Sequence, residues 1–337
     1  MTVPVAATRS RDSVASVLEA QTGAPGDGWD EQLVGLGGHV LQSSAWARCQ
    51  VRMGSSVFHC RDSEWMWLGV TRTVGPFRRL YLPYGPRAAR AAALRPALDT
   101  AIACARRAGL DFVQFEPDGL PQLSPAEVGA RRTRMRQPTF TWLLRIDADE
   151  AALRSGLSKG HRSSINAAER KGIAVTRADS PAVIDEFLTL IRQTHDRTSM
   201  PIHPDAYYRA IAAELVPTGE AALYTARHEG RAVAAALVFD LGETRYYAYA
   251  ASAPEARQLS PAAPLVWRLI LDARAAGKRW FDFWGVAPPD QPDHAWSGFT
   301  QFKRAFGGQL LERAGTWDLP VRPLKYRAWS LLQSLRR

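Results

Sequence analysis

The chain has few of the residues that advertise chemistry. It holds three cysteines in 337 residues, Cys49, Cys60 and Cys104, with no Cys-x-x-Cys spacing. An odd, sparse set of this kind gives neither a disulfide framework nor a zinc site, and it suits a reducing cytoplasm. No apolar run approaches the ~18 residues of a membrane-spanning helix, and no signal-peptide apolar segment opens the chain. A soluble, cytoplasmic protein is the expectation. Phosphate-cradling glycine loops of the GxxxxGKS and GxGxxG kinds are missing, as are the GxSxG elbow and the HExxH zinc helix. The seven histidines are scattered, and His161 and His195 read as ordinary polar residues. No metal centre and no resident cofactor are expected. Lysine is also scarce: of 43 basic residues only Lys159, Lys171, Lys278, Lys303 and Lys325 are lysine.

What remains is basic and apolar. The formal net charge is +10, the pI about 9.9 and the hydrophobic fraction 46%. That fraction supports full cores, and the length suggests two domains. The charge favours a polyanionic partner such as nucleic acid, a nucleotide-linked substrate or an acidic membrane surface. Arginine-rich coding bias accounts for the same number.

Read in order, the chain alternates strand and helix signals. Residues 1–28 are small and polar, and loosely ordered in part. Ser43 or Ser44 caps a short helix carrying Trp46. Ser56 to Arg72 reads as one or two strands, and Arg79 to Leu82 as a strand closed by the turn Pro83-Tyr84-Gly85-Pro86. Ala88 to Ala108 is a helix stopped by Gly109, followed by strand Phe112–Phe115. A second series opens near 140 with strand Phe140–Ile146, then helices over 149–158, 159–172, 181–197 and 204–215. Strands over 221–227, 232–240 and 244–251 lead to helix 261–276 and strand Trp280–Phe283. The run Ala105–Phe115 aligns with Ala273–Phe283, each copy being helix, glycine, apolar strand. Duplication of one α/β unit is the natural reading. The fold class is α/β (α+β), with division into residues 1–145 and 146–317 and a tail over 318–337.

Several constellations have two readings each. Lys303 sits in Gly298-Phe299-Thr300-Gln301-Phe302-Lys303-Arg304-Ala305-Phe306-Gly307-Gly308. A compact ammonium among aromatics stabilises developing oxyanion charge; the plain alternative is a surface lysine at a helix start. Lys159, Arg162 and Arg170 form either a solvated helix face or a phosphate-contacting surface. Arg197, Tyr207 and Tyr208 line a cleft or cap and pack helices. Tyr247 and Tyr249 share one strand face, as core or as two phenols presented to a groove. After the strand ending at Ala251, Arg257-Gln258-Leu259-Ser260-Pro261-Ala262 is a weakened form of the loop with which acyl-CoA N-acetyltransferases hold pyrophosphate at a helix N-terminus. Serine replaces a glycine there, and Pro261 removes an N–H donor.

Together these motifs resemble the Fem-type aminoacyl-tRNA-dependent aminoacyltransferases. The matches run in order: Gln42-Ser43-x-x-Trp46; Tyr81-x-Pro83-x-Gly85-Pro86; Lys159-x-x-Arg162-x-x-Ile165-x-x-Ala168-Glu169-x-x-Gly172; Thr194-x-x-Arg197; Tyr207-Tyr208; Tyr247-x-Tyr249-x-x-Ser252; Asp282-Phe283-x-Gly285; and Phe302-Lys303-x-x-Phe306-Gly307-Gly308, the most specific. The resemblance implies two tandem GNAT-like domains without a coiled-coil arm, a monomer, and a C-terminal tail that returns to domain one. It implies transfer of an amino acid from the 3′ end of aminoacyl-tRNA to an amine, by default on a peptidoglycan-precursor stem peptide, with aminoacyl-tRNA as co-substrate and no cofactor. Lys303 would then be the charge stabiliser, with Phe302 beside it. Arg197, Tyr207 and Tyr249 would line the acceptor groove, with Glu116 a candidate carboxylate. Lys159, Arg162 and Arg304 would meet tRNA.

Two departures bear on the acceptor. Gln50 stands where the family tends to carry a lysine, and Tyr84 where its turn carries an arginine. Each change removes a cation, worth roughly 1.5–3 kcal/mol as a charge-assisted phosphate contact; Arg48 or Arg52 could compensate. They favour a small peptide or a natural-product (antibiotic) amine as acceptor. An acyl-CoA N-acyltransferase is a third reading. A basic RNA- or membrane-binding protein is a fourth: the tail Tyr326, Trp329, Leu332, Leu335 with Arg327, Arg336 and Arg337 would rest peripherally on a membrane or pack on domain one.

Overall fold

The computed structural model describes residues 18–118, 125–168, 170–178, 180–198 and 200–335. Glu169, Arg336, Arg337 and the stretch 1–17 named above lie outside them.

The first half of the chain builds one sheet from β1 (Gln21–Thr22), β2 (Val57–Arg61), β3 (Trp65–Val74), β4 (Phe77–Leu82), β5 (Arg87–Ala88), β6 (Phe112–Phe115) and β7 (Arg131–Arg132), with helices α1 (Trp29–Gly35), α2 (Ser44–Arg52) and α3 (Leu94–Arg107). The second half builds another from β8 (Phe140–Arg145), β9 (Ile173–Arg177), β10 (Ala221–His228), β11 (Arg231–Leu241), β12 (Thr244–Ser252), β13 (Trp280–Gly285) and β14 (Gln309–Glu312). Its helices are α4 (Glu150–Ser155), α5 (Lys159–Ala168), α6 (Ile184–Thr198), α7 (Asp205–Leu215), α8 (Ala262–Ala275) and α9 (Ser297–Arg304). The chain then returns: β15 (Trp317–Pro320) inserts between β6 and β7, and α10 (Pro323–Leu335) follows. The orders are β1-β2-β3-β4-β6-β15-β7 and β14-β8-β13-β12-β11-β10-β9, with β5 paired to β3.

The internal repeat is visible in three dimensions. α3 ends before Gly109 at φ 67°, and β6 pairs parallel to β4; α8 ends before Gly277 at φ 76°, and β13 pairs parallel to β12. Glycine stops both helices because a left-handed residue closes a helix at no Cβ cost. The sequence division at 145 needs moving. Strand 140–145 pairs with β13 and β14, so it belongs wholly to the second sheet. The helix expected from Ala88 begins only at Leu94, because β5 and a 3-10 turn take up the first residues.

Amphipathic spacing places the helices. α3 buries Leu94, Ala97, Leu98, Ala101, Cys104 and Ala105 against one face of the first sheet, and its Thr100 Oγ1 accepts a 2.8 Å hydrogen bond from the Trp67 indole. The other face of that sheet shares a continuous core with the second half: Met66, Leu68 and Val70 of β3 and Trp46 of α2 join Phe187, Leu237, Phe239 and Leu269. Each such buried side chain contributes roughly 1.5–3 kcal/mol, so the halves are held as one body, with α2 against α7. In α10, Tyr326 and Trp329 bury against Phe77 and Phe112, while Leu324 and Leu331 stay exposed. No described helix is long and apolar enough to cross a membrane.

Candidate active site

A cleft of about 980 Å³ opens where the two halves face each other. α2 contributes Trp46 and Gln50, β3 Arg72, β4 Tyr81, and the connection between the sheets Arg136 and Gln137. From the second half come His203, Tyr207 and Arg209 on and before α7, Tyr249 on β12 and Trp284 on β13. Ser43 caps α2 by accepting from the Trp46 amide, which aims the Trp46–Gln50 face inward.

Tyr207 and Tyr249 meet hydroxyl to hydroxyl at 2.9 Å, and His203 stacks on Tyr207 with ring centroids 4.0 Å apart. Burial raises both phenols and lowers His203, so this wall is neutral near pH 7. Gln50, only 1% exposed, accepts from Arg72 Nη2 through Oε1 at 2.7 Å, and its Nε2 has no partner.

Lys303 closes α9, and the surface alternative fails: the side chain is buried. It lies at the helix's C-terminal end rather than its start. Its ammonium donates a 2.6 Å hydrogen bond to the Gly285 carbonyl and lies 5.1 Å from the Phe299 ring centre. Desolvation brings its pKa down to about 7 against the opposing pull of the Asp282 carboxylate. Gly285 directly follows Trp284, a cleft wall residue, so Lys303 is anchored one residue behind the lining. Phe302 packs its ring 5.0 Å from that of His161 on α5, which joins the ends of α5 and α9. Lys159 and Arg304 are exposed there, with Arg304 5.3 Å over the Trp142 ring; Arg162 donates to the Ser155 and Leu157 carbonyls. Among the described residues none of these three cations has an acidic partner.

Other expected site residues are placed differently. Arg197 is exposed on the last turn of α6 and does not line the cleft. Glu116 is neither a strand-end surface carboxylate nor open to a ligand. It is 3% exposed, and it accepts from the Tyr81 and Thr316 hydroxyls and the Tyr84 and Gln137 amides, so it ties the first sheet together. Tyr84 is buried too, donating to the Pro138 carbonyl. The Arg313 guanidinium lies 4.6 Å over the Tyr84 ring. Arg313 pairs with Asp118 of the first half and, at 3.3 Å, with Asp282 of the second. Sequence reasoning missed Arg72, Arg136 and Arg313. The first is a charged residue inside a strand that otherwise reads apolar, which was the available signal. The others become neighbours of the cleft only through the fold.

The weakened pyrophosphate loop is a 3-10 turn over Pro254–Leu259, ending at Ser260 with φ 52°; Lys171 donates to the Gln258 carbonyl. Among the described residues no group of three or more His, Cys, Asp or Glu is arranged to hold a metal.

Comparison with known proteins agrees with this architecture. Residues 155–304 match the family model for an acetyltransferase (GNAT) domain. The lipid II:glycine glycyltransferase of Staphylococcus saprophyticus is 21% identical, over 54% of this chain and 58% of that protein, so the match spans somewhat more than half of the glycyltransferase. The crystal structure of FemX superposes with a TM-score of 0.78 at 17% identity, covering 91% of this chain and 99% of FemX. A tandem GNAT protein from the clavulanic acid biosynthesis pathway superposes with a TM-score of 0.55 at 15% identity, over 90% and 99% of the two chains. With two sheets and a repeated helix–glycine–parallel-strand unit, the chain has a tandem GNAT-type fold whose two halves are arranged as in FemX.

Proposed function

We propose that the chain is an aminoacyltransferase that moves an amino acid from aminoacyl-tRNA to the amino group of a peptide acceptor of the peptidoglycan-precursor kind. The observation that carries this is the buried Lys303 ammonium on the Gly285 carbonyl, one residue behind the lining of an interdomain cleft. The reaction is aminolysis of an activated ester. The acceptor amine attacks the ester carbonyl, a proton leaves the amine, and the ribose oxygen departs. What the protein supplies is alignment and a cation for the developing oxyanion or leaving ribose oxygen. Tyr207, Tyr249 and Trp284 give the acceptor a neutral aromatic wall. Lys159 and Arg304, exposed beside Phe302, suit the phosphates of a tRNA end. Similarity to a lipid II:glycine glycyltransferase supports the acceptor class.

A small natural-product amine is the second reading, favoured by Gln50 and Tyr84. The test presents labelled amino acids on a charged tRNA pool to a UDP-linked muramyl pentapeptide and, in parallel, to the bare peptide. RNase-sensitive transfer to the nucleotide-linked acceptor is expected. Transfer to the bare peptide alone would favour the second reading. Labelling from acetyl-CoA with none from aminoacyl-tRNA would overturn both.

A further inference from the structure

Helix α10 turns an apolar face to solvent. Its inner face is fixed by Tyr326 and Trp329, which are 5% and 3% exposed. Their rings pack 5.4 Å from those of Phe112 and Phe77, and the Tyr326 hydroxyl donates to Asp318 at 3.2 Å. With that face committed, the residues opposite cannot turn inward. They are Leu324, Ala328 and Leu331, one stripe at i, i+4 and i+7, with Leu332 beside it. Leu324 is 79% exposed, Leu331 65% and Leu332 43%. The solvent side of a surface helix is ordinarily its polar side. Large apolar side chains gathered on one exposed stripe mark a surface that something covers.

Charge identifies the occupant. Lys325 and Arg327 flank the stripe, one on each side, and both are exposed. After Asp318 the sequence has no acidic residue, against Arg322, Lys325, Arg327, Arg336 and Arg337. Arg322 and Lys325 share one buried carboxylate, Asp111, at 3.6 and 3.4 Å; among the described residues Arg327 has no acidic partner. An apolar stripe between cations suits a helix lying in the plane of an anionic bilayer. The leucines enter the acyl boundary while the long basic side chains reach out to the headgroup phosphates. α10 has 13 residues, which is too short to span a bilayer and long enough to lie flat on one. A second copy of the chain fits less well, since two such faces would set cations against cations with no α10 carboxylate to answer them. RNA would leave the leucines unused.

We propose that the outer face of α10, Leu324, Ala328, Leu331 and Leu332 with Lys325 and Arg327, docks the protein peripherally on an anionic phospholipid bilayer. This goes beyond the reaction proposed above and does not depend on it. Docking leaves the Tyr326–Trp329 face in place, so it needs no rearrangement of the first half.

Cosedimentation of the full chain with vesicles, without tRNA or acceptor, tests the face apart from the reaction. One set is phosphatidylglycerol mixed with phosphatidylcholine, the other phosphatidylcholine alone. Binding to the mixed vesicles is expected, with little to the neutral ones. The double variant Leu324→Gln/Leu331→Gln keeps helix propensity and should weaken binding about 10- to 100-fold. Arg327→Gln should weaken it about fivefold. Leu310→Gln, at an exposed leucine on β14, serves as the control with wild-type binding. Each variant's thermal midpoint confirms that it folds. No binding to the mixed vesicles, or equal binding by wild type and the double leucine variant, would overturn the docking face. Equal binding to both vesicle types would overturn the anionic assignment. A dimer in sedimentation equilibrium that the double variant abolishes would give the face to a second copy and overturn the bilayer. If leucine-dependent vesicle binding holds while no aminoacyl transfer is found, the docking face stands and the proposed reaction falls.

Discussion

Lys303 Nζ and the Gly285 carbonyl oxygen lie 2.6 Å apart, in a pocket that brings the lysine's pKa down to about 7. One end of this bond is the proposed charge stabiliser; the other is the residue after a cleft wall tryptophan. Its protonation therefore changes in the physiological range, unlike that of an ordinary lysine.

Below pH 7 the Lys303 ammonium is present, and above it the charge is lost. The guanidinium introduced by Lys303→Arg stays charged throughout. The ratio of wild-type to Lys303→Arg kcat/KM cancels the ionisation of the acceptor amine. That ratio should fall about tenfold per unit above pH 7. A ratio that stays flat to pH 9 would remove the ammonium from the mechanism.

The same depression is a stability cost. In the unfolded chain the lysine titrates near 10.5, so the unfolded state binds the proton more tightly and the native state is penalised at pH 7 and below. The penalty fades as pH rises from 7 to 10.5. Lys303→Met should thus abolish transfer yet raise unfolding free energy at pH 7 by about 2–4 kcal/mol, with the gain vanishing near pH 10.5. Urea titrations at the two pH values read this directly; equal midpoints at pH 7 would mean that water reaches the ammonium.

Arg313→Met strands two buried carboxylates, Asp118 and Asp282, one from each half. The expected loss is about 3–5 kcal/mol in urea. Adding Asp118→Asn and Asp282→Asn should recover part of it, because the repulsion that remains is between those two groups. A loss under about 1 kcal/mol would show that the network contributes little.

Two glycines of the signature stretch should respond oppositely. A Cβ on Gly308 would lie 2.5 Å from the Leu143 carbonyl oxygen at φ 96°, so Gly308→Ala should cost about 2–4 kcal/mol through β14 pairing. Gly298, inside α9, has nothing within 4 Å, and Gly298→Ala should add about 0.5–1 kcal/mol. Thermal midpoints moving the same way in both variants would refute this contrast.

Most strands and helices were legible because their apolar spacing is regular and glycines or prolines punctuate them. The duplication was legible in Ala105–Phe115 and Ala273–Phe283, since the same helix–glycine–strand packing problem is solved twice. Gln50, Tyr207 and Tyr249, far apart in sequence, line one cleft. Arg197 misled because a helix-end arginine has the same local pattern whether it points inward or to solvent. Glu116 misled because its four donors come from residues up to 200 positions away, which no local signal encodes. The insertion of β8 into the second sheet is likewise a fact of pairing partners, not of the strand's own sequence.

The return of β15 has a consequence for how the protein is made. Thr316 donates to Glu116 and Asp318 accepts from Gln114, so the central ladder of the first half waits for residues translated some two hundred positions later. On the ribosome the second half can close around its own strands while the first still has a gap between β6 and β7. Domain one, first to be synthesised, is the last to be finished, and its wall of the cleft takes shape only when the chain has come almost full circle.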